Sequence, residues 1–311
     1  MSIRSRLLIA LTIGLLSGVI CGVYQQQFRR GAGDISMPLC MGSALLRHAD
    51  PYVACRGFQS DGVTPSTANP ITTVLLTLPL LPLPRPVAAG VFFGIASAIL
   101  SWGLTRSGQP WQLLTFAAYP YWQALQTVQW SPLLLAAFYI PELIAVTLAK
   151  PHVGAPVALS VPWRRWPVAA GVALLLLSLV VMPTWPIQML SGVGAPGDYR
   201  SPVMILPGAL LLLAGIRWRD RRARYLLLLS LVPQRAFYDQ LLVFGVPRSR
   251  RALLALVAAS WFCYLGWFMF SSPAIPWHIL LIYLPALGIV LIETHGKIEG
   301  KAEPLPLKEL L

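Results

Sequence analysis

The chain alternates apolar blocks with short polar breaks, and most blocks approach the length of a bilayer crossing, about 17–25 residues. They cover residues 7–24, 71–83, 87–104, 111–126, 131–149, 153–161, 168–182, 202–216, 252–270 and 277–292. This pattern predicts an all-α fold: a polytopic membrane helical bundle of about ten transmembrane helices. Neither a repeat nor a linker divides it, so residues 1–311 read as one integral membrane domain. The block at 7–24 follows Arg4 and Arg6 as a signal peptide would, yet no small-x-small cleavage site ends it. It is therefore expected to stay as the first helix.

Two stretches depart from the plain block pattern. Residues 25–69 form the longest polar segment and are expected to make an external loop after helix 1. Residues 225–247 are apolar with basic flanks and carry Pro233, Gln234, Arg235 and Asp239 at their centre. Two arms of about ten residues cannot each cross a ~30 Å hydrocarbon core. A short hairpin is expected, with its charges buried in protein or lining a cavity, and with Arg235 and Asp239 near each other or near a headgroup.

Composition sharpens this picture. Of the 311 residues, 56% are hydrophobic and 11% charged. A soluble domain carries about 25% charged residues, so the polar surface needed to cover a water-soluble globule is missing. The net charge is +13, and the arginines cluster at block ends: Arg164 and Arg165 between Trp163 and Trp166, the run 217–224, and Arg248, Arg250 and Arg251. Such placement fits cytoplasmic loops and interfacial aromatics. Membrane lipids, anionic ones included, are the expected partners of this charge. Nucleic acid is not, since neither a base-stacking motif nor a basic tail accompanies it.

Counting charges also sets a direction of travel. Arg4 and Arg6 hold the N-terminus in the cytoplasm. Block 71–83 then returns from the external loop to an inner turn at Pro84, Arg85 and Pro86. Lys150, Pro151 and His152 emerge outside after block 131–149, residues 217–224 form the strongest basic cytoplasmic loop, and the tail with Lys297 and Lys301 ends inside. Both termini are expected to be cytoplasmic.

The four cysteines, Cys21, Cys40, Cys55 and Cys263, form no CxxC or Cys/His cluster, so no zinc site is expected. Cys40 and Cys55 share the polar loop and can form a disulfide if it faces an oxidising compartment; the alternative is two unpaired small residues.

Ionisable groups within or at the edge of a membrane are candidates for function. Here they are Asp34, Asp50, Glu142, Lys150, His152, Asp198, Arg235 and Asp239. Asp34 stands behind Gly31 and Gly33 at the start of an apolar run, 35–46, that reads as an interfacial helix. An Asp there also serves as an ordinary helix N-cap. Asp50, Pro51 and Tyr52 read as a turn closing that helix. Lys150 suits either an anion site or a lysine snorkelling to the interface. Glu142, after Pro141 in mid-block, is assigned no role.

The segment from Asp34 through Leu45 and Leu46 to Asp50, Pro51 and Tyr52 resembles the first external loop of GT-C membrane glycosyltransferases. It is similar to that of the bacterial polyprenyl-phosphate-mannose-dependent mannosyltransferase-like family. There an Asp shortly after helix 1 is followed by a Leu-Leu-x-Gly-x-Asp-Pro-Tyr element. Asn69, Pro70 and the Leu/Pro-rich run to Pro84 resemble that family's Tyr-Pro-Pro element, with Asn69 where an aromatic is usual. Gln129, Trp130 and Ser131 resemble its Gly-Gln-x-(Asn/Ser) element, with Val128 in the glycine's place. Lys150 and Pro151 resemble the Lys-Pro step that follows. The likeness covers roughly residues 1–160.

The resemblance implies a GT-C-like enzyme of a bacterial inner membrane that builds the cell envelope. It would move a mannose-like sugar or a pentose from a polyprenyl-phosphate donor to a lipid or glycan acceptor on the outer face. Asp34 matches the base that takes the acceptor hydroxyl proton. A cation near the leaving phosphate would stabilise the charge that develops there: Lys150 is the first candidate, His152 and Arg235 the next. Asp50, Tyr52 and Gln129 are the expected substrate-binding residues. No Asp-x-Asp motif is present, so neither a metal nor another cofactor is expected beyond the lipid-linked sugar itself. The competing readings are a non-catalytic lipid-binding or scaffold subunit of a membrane complex, and a transporter or flippase, which the lack of an inverted repeat disfavours.

Overall fold

The computed structural model describes residues 1–57, 69–191, 200–234, 238–270 and 274–293. The described residues are 80% helical and hold no strand. α1 (Ile3–Gln27) leads into a 3-10 turn, Gly33–Ile35, and three short helices, α2 (Ser36–Leu46), α3 (Pro51–Ala54) and α4 (Ile71–Thr77). After α5 (Arg85–Thr105) come a 3-10 segment, Pro110–Ala117, then α6 (Tyr119–Thr127), α7 (Ser131–Tyr139), a second 3-10 segment, Pro141–Ala149, and α8 (Pro151–Ser160). α9 (Arg165–Val181) and α10 (Trp185–Ser191) meet at an 85° bend. The 3-10 segment Gly208–Arg217 precedes α11 (Arg221–Leu231), and another, Asp239–Gly245, precedes α12 (Arg250–Phe270). α13 (Ala274–His278) runs through a π-helical stretch, Ile279–Tyr283, into α14 (Leu284–Ile292).

Among the described residues two helices, α1 and α5, are long and apolar enough to cross a membrane alone, or three spans if α9 and α10 count as one. The expected set of about ten long helices is not what the blocks form. Proline is the physical reason. A proline sits in the first turn of α6, α7, α8 and both 3-10 segments between α5 and α8. It removes a backbone donor and pushes the residue before it out of helical geometry. Block 131–149 therefore splits at Ile140 into α7 and Pro141–Ala149; block 111–126 is also broken, at the extended Ala118, two residues before Pro120.

α1 and α5 pack antiparallel through glycines spaced four apart. A β-carbon at Gly14 would lie 2.8 Å from the Gly94 carbonyl oxygen, and one at Gly18 2.8 Å from that of Gly90, while Gly22 faces Pro86 at 3.3 Å. Lipid offers little hydrophobic drive between helices, so such close backbone approach supplies the packing energy. α1 also exposes Leu8, Leu11, Leu15, Leu16 and Val19.

This packing corrects the expected path. Arg85 and Pro86 lie at the Gln27 end of α1, not at its Arg6 end: the Arg85 guanidinium donates to the Ser36 carbonyl (2.9 Å), whereas Arg6 stacks on Trp102 (4.2 Å) at the far end of α5. Residues 71–83 thus do not traverse the bundle. They stay at the Gln27 end, where α4 packs on α2 and the side chains of Thr72 and Thr73 bond the carbonyls of Leu148 and Ala149 (2.7 and 2.6 Å). The split of block 131–149 adds a reversal that the skipped crossing removes, so Lys150 ends at the Gln27 end after all.

At the Arg6 end the arginines secure helix termini. Arg221 donates to the carbonyls of Ser160 (2.7 Å) and Phe138, Arg222 to that of Val246 (3.0 Å), and Arg217 to those of Val290 and Glu293 (both 3.1 Å). They satisfy carbonyls that a helix end leaves without a partner. Arg248 grips both oxygens of Asp220 at 2.6 Å, and Glu142, unassigned from sequence, joins Arg106 (3.2 Å) to Arg164 (2.5 Å). At the opposite end a second apolar cluster gathers Met37, Met41, Tyr52, Ile71, Met182 and Trp185, and a disulfide joins Cys40 to Cys55 across a Cα–Cα distance of 6.1 Å.

Candidate functional site

The site begins at the end of α6. Val128 N–H bonds the Leu125 carbonyl (3.4 Å) and Gln129 N–H the Ala124 carbonyl (2.9 Å), the paired bonds of a Schellman close. This close needs a left-handed residue, and Val128 takes that role at φ 55° and ψ 56°. Glycine adopts this conformation freely, whereas a β-branched residue is strained in it by about 1–2 kcal/mol. Val128 holds this turn while fully buried.

Gly33 docks on that turn. At φ 53°, a β-carbon there would lie 2.6 Å from the Thr127 carbonyl oxygen and 2.7 Å from a Val128 methyl. Asp34 follows, half-buried, inside the 3-10 turn Gly33–Ile35. The N-cap alternative for Asp34 is corrected: the cap positions are Ala32 for this turn and Ile35 for α2, neither with a side-chain capping bond. The Ala32 N–H is instead taken by the Ser36 hydroxyl (2.9 Å).

On the other side of the turn lies Lys150. Its position between the 3-10 segment ending at Ala149 and α8 follows from Pro151, which bars a helical conformation at the preceding residue; Lys150 has φ −139° and ψ 75°. Its ammonium donates to Asp239 Oδ1 at 2.8 Å and to Gln129 Oε1 at 3.4 Å, and lies 4.6 Å from the centre of the Tyr238 ring. Asp239 is fully buried, Gln129 is 2% exposed, and the Lys150 side chain is 11% exposed. Asp239 opens the 3-10 segment that follows α11, so the expected break of 225–247 into two short pieces is present. Arg235, expected beside Asp239, lies outside the described residues, as does Asp198.

The remaining candidates are placed elsewhere. His152 is half-buried in the first turn of α8, two residues past Lys150. Asp50 caps α3, its Oδ1 accepting from the N–H of Tyr52 (2.9 Å) and Val53 (3.3 Å) and its Oδ2 from Gln188 (3.2 Å) on α10. The Tyr52 hydroxyl donates to the Asn69 carbonyl (2.7 Å); burial, with Asp50 adding to it, raises its pKa well above the ordinary tyrosine range and keeps it a donor. The polar atoms of these two residues hold α3, Asn69 and α10 together. Tyr238 and the part of Asp239 were missed, although Asp239 is the lone carboxylate of 225–247.

Comparison with family models, curated proteins and solved structures finds no match. The reading of this site rests on its own geometry.

What the site offers is a nearly buried ammonium with a close counter-ion, a neutral amide at the long limit of a hydrogen bond, and a carboxylate next to the glycine seated on the same turn. Together they suit an anionic ligand and a proton acceptor.

Proposed function

We propose that the chain is a GT-C-like, multi-span membrane glycosyltransferase that moves a sugar from a polyprenyl-phosphate donor at the outer face, with both termini in the cytoplasm. One observation carries this reading: the Val128 turn is shared by the Asp34 segment, through Gly33 on Thr127, and by Lys150, through Gln129. A base and a cation flanking one turn is the layout an inverting transfer requires. Asp34 takes the acceptor proton, and Lys150 meets the negative charge that grows on the leaving phosphate. The short, proline-broken segments stand in this reading for the ten spans. The sugar is mannose-like or a pentose, and the acceptor a lipid or glycan of the cell envelope.

The experiment is Asp34→Asn. It keeps shape and hydrogen bonding but removes the proton acceptor, and the expected loss in transfer from a polyprenyl-phosphate sugar is roughly 10²–10⁴-fold at unchanged melting. Full activity in this variant removes Asp34 from the mechanism. The second reading, a non-catalytic lipid-binding subunit of a membrane complex, is favoured by the Lys150–Asp239 pair, because a cation already neutralised needs no ligand. Absence of transfer by the unmodified protein with any such donor selects it.

A further inference from the structure

The contacts of Lys150 are unequal. An ammonium has three N–H donors, and among the described residues Lys150 meets a carboxylate at 2.8 Å, a ring face at 4.6 Å and an amide oxygen at 3.4 Å. The first is a charge-assisted bond at full strength. It is costly to break, because Asp239 is fully buried and the Lys150 side chain nearly so. The ring of Tyr238, next in the chain, backs the same flank. The amide contact is neutral and at the long limit of a hydrogen bond, so it is the one a stronger acceptor displaces. Gln129 also lies on the turn that seats Gly33, the residue before Asp34, so whatever displaces it arrives beside that turn.

We infer that Asp239 and Tyr238 are positioning residues that hold one flank of Lys150 permanently, and that a phosphate-ester oxygen docks on the flank now held by Gln129. This rests on the glycosyltransferase reading for the identity of the ester but not for its binding. Three variants separate the roles. Asp239→Asn removes the anchor. Gln129→Glu supplies a carboxylate that Lys150 will not release. Gln129→Ala removes only the displaceable contact.

The test is equilibrium binding of decaprenyl phosphate to the full chain in zwitterionic nanodiscs, with uncharged decaprenol as control. The wild type is expected to bind the phosphate and not the alcohol. Asp239→Asn and Gln129→Glu are each expected to weaken binding by about tenfold or more, as loss of a charged hydrogen bond does, and Gln129→Ala by no more than about threefold. Gln129→Glu sets a second carboxylate beside the buried Asp239, so its lost binding counts only at wild-type melting, and where its melting falls Asp239→Asn decides. A cluster that serves architecture alone predicts the opposite, binding that follows melting. Competition by millimolar inorganic phosphate alone would mark a free-anion site, and competition by phosphatidylglycerol an ordinary headgroup site; either supports docking at this flank. Wild-type affinity in Gln129→Glu, unchanged affinity in a folded Asp239→Asn, or equal binding of decaprenol overturns the inference. If binding behaves as expected and sugar is never transferred, the docking flank stands and the catalytic reading falls. If transfer occurs while these variants bind normally, only the docking flank falls.

Discussion

Gly33 and Thr127 meet with no room for a side chain: a β-carbon at Gly33 would lie 2.6 Å from the Thr127 carbonyl oxygen, and Gly33 itself has φ 53°. Both facts ask for glycine. Gly33→Ala is expected to cost at least ~1 kcal/mol from the left-handed backbone alone, and to push the Asp34 segment off the Val128 turn. A lowered melting temperature in detergent, together with reduced transfer or phosphate binding, is the outcome sought. A variant that melts and functions as wild type would show that this seat does not matter.

The α1–α5 contact makes a graded prediction along a single helix. Gly18 would drive a methyl onto the Gly90 carbonyl at 2.8 Å, whereas Gly22 has its nearest atom, the Pro86 carbonyl oxygen, at 3.3 Å. Gly18→Ala is therefore expected to destabilise by roughly 1–3 kcal/mol, the range for an overpacked site. Gly22→Ala should stay within about 0.5 kcal/mol, as a mild substitution does. Equal melting of the two variants would contradict the packing described.

The disulfide closes 15 residues between Cys40 and Cys55. A loop of that size contributes about 3 kcal/mol in the chain-entropy account. Cys40→Ser is expected to lower the melting temperature and to loosen α2, which starts two residues past Asp34. Mass spectrometry of the alkylated, unreduced protein should find Cys40 and Cys55 unmodified. Modification of both would remove the bridge.

Topology offers a fourth test. His48 lies at the Gln27 end and Arg219 at the Arg6 end, both exposed. With Cys21 and Cys263 buried, a single cysteine at position 48 should react with an impermeant maleimide in intact cells, and one at position 219 only after permeabilisation. The reverse pattern would invert the membrane orientation and place Lys150 on the cytoplasmic face.

Much of the fold was legible because hydropathy is local. Residues 35–46 read as a helix and form α2, residues 87–104 form α5, and the interruption near Pro233 is present. The path through the bundle was not legible. Charge counting placed Arg85 inside, but its guanidinium is occupied by the Ser36 carbonyl at the other end. An arginine satisfied by protein carries no information about which side of a membrane it faces.

The sequence by itself determined that the chain is helical, built of apolar blocks, and supplied with a handful of ionisable groups at the block edges, Asp34 and Lys150 among them. Each of these follows from side-chain chemistry and short-range backbone rules, such as Pro151 setting the conformation of Lys150. Only the tertiary structure decided that α1 and α5 touch through glycines, that residues 71–83 do not cross, and that Lys150 meets Asp239, 89 residues away. A block that is apolar on every face has no side that points to its neighbour. Which blocks meet is set by close fits such as Gly18 on Gly90 and by the need of a buried charge for its opposite, and both come into being only when distant segments pack.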